Sequence, residues 1–184
     1  MTVVLFSKTQ FKTKLITTIL PIILWLPATY IFLYFYGLTT PETFLIPSTL
    51  EKRFRVIYDE KCGVEPKYEN GRRIIVIPYN GVLIIKSKLE SGWINHEYYF
   101  VDIEGNKIKV NSENFSPDKK VNTPSISLSG TGVMSGNTLD KSSDIHHTDF
   151  IINKKDSMTT NNDFKETEKF ESLTRALVEK CRKL

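Results

Sequence analysis

Residues 15–36, LITTILPIILWLPATYIFLYFY, form an unbroken run of 22 residues without a charge. Coiled as a helix, the run spans roughly 33 Å, about the thickness of a bilayer's hydrocarbon core. A core helix of a small soluble domain is shorter and keeps one polar face, whereas this run is apolar all round. Pro21 and Pro27 each remove a backbone donor and kink a helix. Membrane helices tolerate such kinks when nearby groups satisfy the freed carbonyls, and Thr17 and Thr18 precede Pro21 at the right distance. Tyr30, Phe32, Tyr34, Phe35 and Tyr36 crowd the far end, where the headgroup belt favours aromatic rings.

A cleaved signal is the rival reading. Its apolar run is about 7–15 residues and is followed by small residues at the cut. Here the run is longer, Leu38-Thr39-Thr40-Pro41 is a poor cleavage site, and no cysteine sits just after the run to carry a lipid. The expectation is a retained anchor over residues 15–37. Lys8, Lys12 and Lys14 precede it and no acid lies before Glu42. Positive flanks stay inside, so residues 1–14 are expected in the cytoplasm and the rest outside it.

The 184 residues hold 25 Lys/Arg and 21 Asp/Glu, of which only those three lysines and Glu42 precede residue 51. The later part is therefore nearly neutral and its charges are interspersed, which argues against nucleic-acid binding. The two cysteines, Cys62 and Cys181, could pair outside the cytoplasm or remain free thiols. No Cys-x-x-Cys is present, so neither a redox motif nor a zinc ribbon is expected.

Beyond a short connector, Phe54, Val56 and Tyr58 alternate with Arg53, Arg55 and Ile57 and predict a half-buried strand. Asn70-Gly71 is a turn signal. Residues 73–77 and 82–85, two β-branched runs around Asn80-Gly81, predict an antiparallel pair. Residues 97–102 and 107–110, around a turn at 103–106, predict a second hairpin. Residues 111–124 and 130–144 read as loops, with strands at 125–129 and 147–153 beside them. Asp163 and Glu166 suggest a capping box. Behind it Phe170, Leu173, Leu177, Cys181 and Leu184 share one face of an amphipathic helix over 163–184, packed on the domain's own sheet. The fold class is mainly β, α+β overall. It comprises a transmembrane helix, a small antiparallel β-sandwich-like domain over 44–160 and a C-terminal helix.

Chemistry is sparsely signalled. His147 and Asp149 fall on one face of a strand while His146 falls on the other, and His96 is remote, so no metal site is expected. The Gly130–Gly136 run lacks the lysine and the spacing of a phosphate loop. Ser135 has no evident base. Asn114-Phe115-Ser116 is a short sequon with no weight of its own. Trp93, Tyr98, Tyr99 and Phe100 form an aromatic cluster, mostly core in the simplest reading; Trp93, Tyr79 and Tyr99 are the candidates for an exposed binding contact.

Several stretches resemble an uncharacterised domain of bacterial envelope proteins, many of them lipoproteins or single-span proteins. They are Ile46-Pro47, Val56-x-Tyr58-Asp59, Ile77-Pro78-x-Asn80-Gly81-Val82-Leu83 and Tyr99-x-Val101-Asp102-x-x-Gly105. The likeness covers Phe44 to about Val110 well and the remainder loosely. It departs at Ser48–Arg53 and in lacking a lipid-bearing cysteine. The resemblance implies an exported bacterial domain, which puts the residues after the anchor in the periplasm of an inner-membrane protein, and it supplies no catalytic residues.

Together these features lead us to expect a membrane-anchored, non-enzymatic, cofactor-free interaction module. Its partners would be the lipid bilayer and another envelope protein or a wall or lipid component. The first alternative is a carrier or sensor of a small apolar ligand, held between sheet and C-terminal helix by Tyr99, Val101 and Leu177. The second is an envelope hydrolase drawing on His96, His147, Cys62 or Cys181.

Overall fold

The computed structural model describes residues 8–113, 123–135, 143–154 and 164–183. They fall into two compact units: residues up to Thr39 with Ser91–Trp93, and Thr40–Glu90 with Ile94–Leu184.

The first unit is built on helix α1, Lys8–Tyr36, with Pro21 and Pro27 inside it. Its side chains are described over residues 19–35, and its large apolar ones there are exposed, Trp25 and Tyr30 by 72% each. Among the described residues no helix is long and apolar enough to cross a membrane. The side chains of Lys8, Lys12 and Lys14 lie outside the described residues. Past the helix, Leu38 bridges Trp93. The Trp93 amide donates to the Gly37 carbonyl at 2.7 Å, and the Thr39 hydroxyl donates to the Trp93 carbonyl at 2.6 Å.

The second unit holds β1 (Glu42–Pro47), β2 (Arg53–Tyr58), β3 (Lys67–Glu69), β4 (Arg72–Val76), β5 (Val82–Ile84), β6 (His96–Val101), β7 (Lys107–Ser112), β8 (Ser125–Met134), β9 (Ile145–Asn153) and α2 (Phe164–Arg182). The strands form one sheet in the order β3-β4-β1-β6-β7-β8-β9-β2-β5. The pairs β1–β4, β1–β6, β2–β5 and β7–β8 are parallel, and the other four are antiparallel. The β-rich α+β class stands, but the antiparallel sandwich is corrected to a mixed sheet. Successive strands β1 and β2 do not pair; they enter opposite halves of the sheet.

The sheet curls until those halves face each other. Phe44 of β1 lies 5.0 Å, ring to ring, from Phe150 of β9 and 6.0 Å from Phe54 of β2. Phe54 and Phe150 stack at 4.6 Å. Around them Ile46, Val56, Ile75, Ile77, Ile126 and Ile152 close the main core. Each fully buried side chain of this size contributes about 1.5–3 kcal/mol of transfer free energy.

Local signals hold where the turn alone decides the pairing. Val101 pairs Lys107 in the β6–β7 hairpin, with Gly105 at φ 87°. Asp102 Oδ1 accepts from the Glu104 and Asn106 amides at 2.9 Å each. Asn70 and Gly71, at φ 50° and 74°, make the two-residue turn between β3 and β4, the conformation such a hairpin demands. The hairpin expected at Asn80-Gly81 does not form. Gly81, at φ 77°, turns the chain out of the β4 side, and β5 pairs with β2 in parallel. Its carbonyl accepts from the Arg55 amide at 2.8 Å.

Strand β2 is buried on both faces rather than half-buried. Phe54, Val56 and Tyr58 enter the main core, while Ile57 faces a second cluster of Val82, Met134, Ile145 and Val178. The second cluster exists because α2 covers that outer face. The expected helix face is rotated: Thr174 and Val178 are fully buried, whereas Leu173 is exposed. The Thr174 hydroxyl donates to the Phe170 carbonyl at 2.8 Å, which lets a polar residue sit inward. Glu166 ion-pairs with Lys52 at 2.6 Å; Asp163 of the expected capping box, like Leu184, lies outside the described residues. The 130–144 loop is corrected over Gly130–Met134, which extend β8 against β9 past a bulge at Leu128/Gly130. Asn111 and Ser112 likewise belong to β7. Residues 136–142 and the sequon at 114–116 lie outside the described residues.

Candidate functional site

Among the described residues of the second unit four charged side chains are buried, Glu42, Arg55, Glu60 and Arg73, and register puts Glu42 and Arg73 in one row. Glu42 of β1 stands opposite Arg73 of β4 on one side and His96 of β6 on the other. Each residue takes the inward parity of its strand, followed at i+2 and i+4 by Phe44 and Ile46, Ile75 and Ile77, or Tyr98 and Phe100. Glu42 Oε1 accepts from Arg73 Nη1 at 3.1 Å, and Glu42 Oε2 lies 3.1 Å from His96 Nε2. His96 Nδ1 meets the Tyr98 hydroxyl at 3.1 Å. Arg73 Nη2 also pairs with Glu90, whose carboxylate accepts from the Thr40 amide at 2.7 Å. The Arg73 Nε is buried without a hydrogen-bond partner among the described residues.

The electrostatics follow from this burial. Burial alone would lower the Arg73 pKa, but Glu42 and Glu90 outweigh it and raise the value. Burial would raise Glu90, but hydrogen bonds from Thr40 and Arg73 hold it low. Burial, with the Glu42 charge adding to it, pushes the Tyr58 and Tyr98 phenols far above their ordinary range. These phenols stay neutral and act as hydrogen-bonding groups, not as bases.

The second centre lies between β2, β9 and α2. Arg55, 3% exposed, forks onto Asp149, with Nη2 to Oδ2 at 2.6 Å. It also reaches Met134 Sδ at 3.3 Å and lies over the Phe170 ring at 5.3 Å. His147 shares the face, its Nε2 3.8 Å from Asp149 Oδ2. Burial, the largest influence, lowers the His147 pKa; Arg55 adds to this and Asp149 opposes it. A guanidinium thus occupies the carboxylate that sequence spacing offered to a metal.

The third centre is covalent. Cys62 and Cys181 are joined, with Cα atoms 5.5 Å apart. Beside the bond, Arg182 donates to the buried Glu60 at 2.5 and 2.9 Å and to the Asp144 carbonyl at 2.9 Å. Glu60 is the main cause of the raised Arg182 pKa. A cation in the last turn also suits the helix dipole.

Of the expected contact residues, Tyr79 is 75% exposed in the β4–β5 turn and Trp93 is 67% exposed in the first unit. Tyr99 is half-buried on β6, donating to Glu97 at 3.3 Å with Lys109 Nζ 5.8 Å above its ring. The described contacts do not join Tyr79 to Tyr99. Tyr98 faces the core, as expected of that cluster. Leu177 packs on the second cluster, and no described contact joins it to Tyr99 or Val101. The thiols that a nucleophile pair would need are consumed in the disulfide. The Glu42–Arg73–His96 row is what sequence reasoning missed; its signal was a charged or polar residue at inward parity on three strands.

These features define a mixed-sheet α+β domain with a disulfide-tethered terminal helix and a buried ionic row. The chain belongs to DUF6843, a family of unknown function whose sequence pattern matches residues 38–163. The resemblance to an uncharacterised domain family is thereby shown, and it extends beyond Val110 through β9. The chain is also similar to a crystal structure from Bacillus anthracis described as a "Putative Lipoprotein", at 19% identity and a TM-score of 0.58. The similarity covers 77% of this chain and 96% of that one, and it is a likeness of fold. No curated protein matches the chain.

Proposed function

We propose that this is a membrane-anchored, extracytoplasmic interaction module of the bacterial cell envelope, held by α1 and acting without catalysis. The observation that carries the reading is the Cys62–Cys181 bond, because disulfides persist in oxidising compartments and are rare in a reducing cytosol. The exposed apolar side chains of α1 support it, since an uncovered apolar surface of that size marks a membrane or protein contact. The printed description of the Bacillus anthracis structure also fits an envelope protein.

The contact surface for another envelope protein or a wall component is the outer face of β4, β1, β6 and β7. There Val76, Leu45, Tyr99 and Lys109 stand in one cross-strand row, with Tyr79 in the turn beyond Val76. The acids that could serve catalysis, Glu42 and Asp149, are each committed to a buried guanidinium, which supports a binding role.

The test is made in intact cells whose outer layers have been removed. Thiols are trapped by a mass-shifting alkylating agent, with and without prior reduction, and externally added protease is applied in parallel. The reading expects full-length chain in the membrane pellet, shifted only after reduction, with its β domain digested. Free thiols before reduction, or a protected domain, would overturn it.

A further inference from the structure

We infer that Trp93 is a second lipid contact, an indole placed at the membrane–water boundary by a loop clamped to the end of α1. This rests on the reading of α1 as a bilayer span. The apolar run ends at Tyr36, and Gly37 follows it at the level where the hydrocarbon gives way to headgroups. The loop Ser91–Trp93, more than fifty residues further along the chain, returns to that point and belongs to the same compact unit.

The junction is built for close approach. The Trp93 amide donates to the Gly37 carbonyl at 2.7 Å, and the Trp93 carbonyl accepts from Thr39 at 2.6 Å. Both glycines there are required by contact. A Cβ on Gly37 would come within 2.9 Å of Trp93 Cδ1, and one on Gly92 would strike the Gly37 carbonyl oxygen. The backbone of Trp93 is thus fixed on both sides while its ring stays 67% exposed. Its indole N–H has no protein acceptor among the described residues.

An amphipathic ring held open at the end of an apolar helix suits the headgroup layer, where its body is buried and its N–H meets water or phosphate. Leu38, 48% exposed, continues the apolar surface of α1 to this point. The occupant is therefore the lipid surface itself. The geometry also separates Trp93 from the other tryptophan. Trp25 lies 12 residues before Gly37, roughly 18 Å along a helix, which puts it near the bilayer midplane.

Two single-tryptophan variants of the full chain, Trp25→Phe and Trp93→Phe, are reconstituted in phosphatidylcholine vesicles. The vesicles carry bromine either near the headgroup or near the acyl terminus, and iodide is the aqueous quencher. Trp93, seen in the Trp25→Phe chain, is expected to be quenched several-fold more by shallow than by deep bromine; Trp25 is expected to show the reverse. If Trp25 is quenched by deep bromine while Trp93 answers only to iodide, the inference fails and the anchor stands. If neither brominated lipid quenches Trp25, the anchor reading fails and the inference with it. Adding Gly92→Ala to the Trp25→Phe chain is expected to remove at least half of the shallow quenching. Unchanged quenching there would overturn the clamped loop as its cause.

Discussion

The Glu42 carboxylate and the Arg73 guanidinium meet at 3.1 Å as direct neighbours across the parallel β1–β4 ladder, and both are almost wholly buried. Removing Arg73 takes the guanidinium from both Glu42 and Glu90 and leaves Glu42 with only the His96 ring beside it in an apolar interior. Arg73→Leu should therefore cost about 3–5 kcal/mol of domain stability. Changing Glu42, Arg73 and His96 together to apolar residues of similar volume should recover most of that loss. Urea unfolding of the three forms checks it; a cost below about 1 kcal/mol for the single change would show the row to be energetically idle.

The Cys62–Cys181 bond closes a loop with a sequence separation of 119. In the chain-entropy view its loss costs about 4–5 kcal/mol. Replacing both cysteines with alanine should lower the urea midpoint, and reduction of the natural chain should reproduce the shift. The bond sits at the end of α2, so hydrogen exchange should rise first in the last turns of that helix.

His147 carries a pH dependence. Its folded pKa is lowered, chiefly by burial, so the unfolded chain binds a proton more readily. Stability is full above the unfolded value of about 6.5 and falls as pH drops below it. The slope approaches about 1.4 kcal/mol per pH unit until the folded value is passed. Unfolding of the natural chain and of His147→Gln, compared between mildly alkaline and mildly acidic buffer, checks this. The variant should lose the part of the acid sensitivity that belongs to this ring.

The rotated face of α2 separates two leucine-like positions. Leu173 is 38% exposed and Val178 is 1% exposed. Leu173→Ser should change stability by no more than about 0.5 kcal/mol. Val178→Ala opens a gap against Ile57 and Met134 and should cost on the order of 2 kcal/mol. Thermal unfolding of the two variants ranks them, and a larger loss at Leu173 would contradict the helix orientation.

The sequence was most readable where a pattern is closed locally. Gly105 and the Asp102 side chain fix the β6–β7 turn between adjacent residues, and Asn70-Gly71 does the same for β3–β4. Asn80-Gly81 carries an equally good turn signal and the turn is made, yet its partners are chosen at long range: β4 lies against β1 and β5 against β2. The Gly130–Met134 stretch looks like a loop by composition and becomes strand because β9 supplies a ladder for it. In α2, periodicity located the helix, but the polar Thr174 displaced Leu173 from the inward face once its hydroxyl found the Phe170 carbonyl. The ionic row was hidden because Glu42, Arg73 and His96 stand far apart along the chain, each first or second in its strand, where a charge ordinarily meets water.

The order of the strands has a consequence for cutting the molecule apart. Reading along the chain, β1 enters one half of the sheet, β2 the other, β3 and β4 the first again, β5 the second, β6 and β7 the first, and β8 and β9 the second. Every possible break point therefore strands members of both halves on the same fragment. Neither half can be expressed as an autonomous piece, and the body should melt in a single step, its two walls lost together.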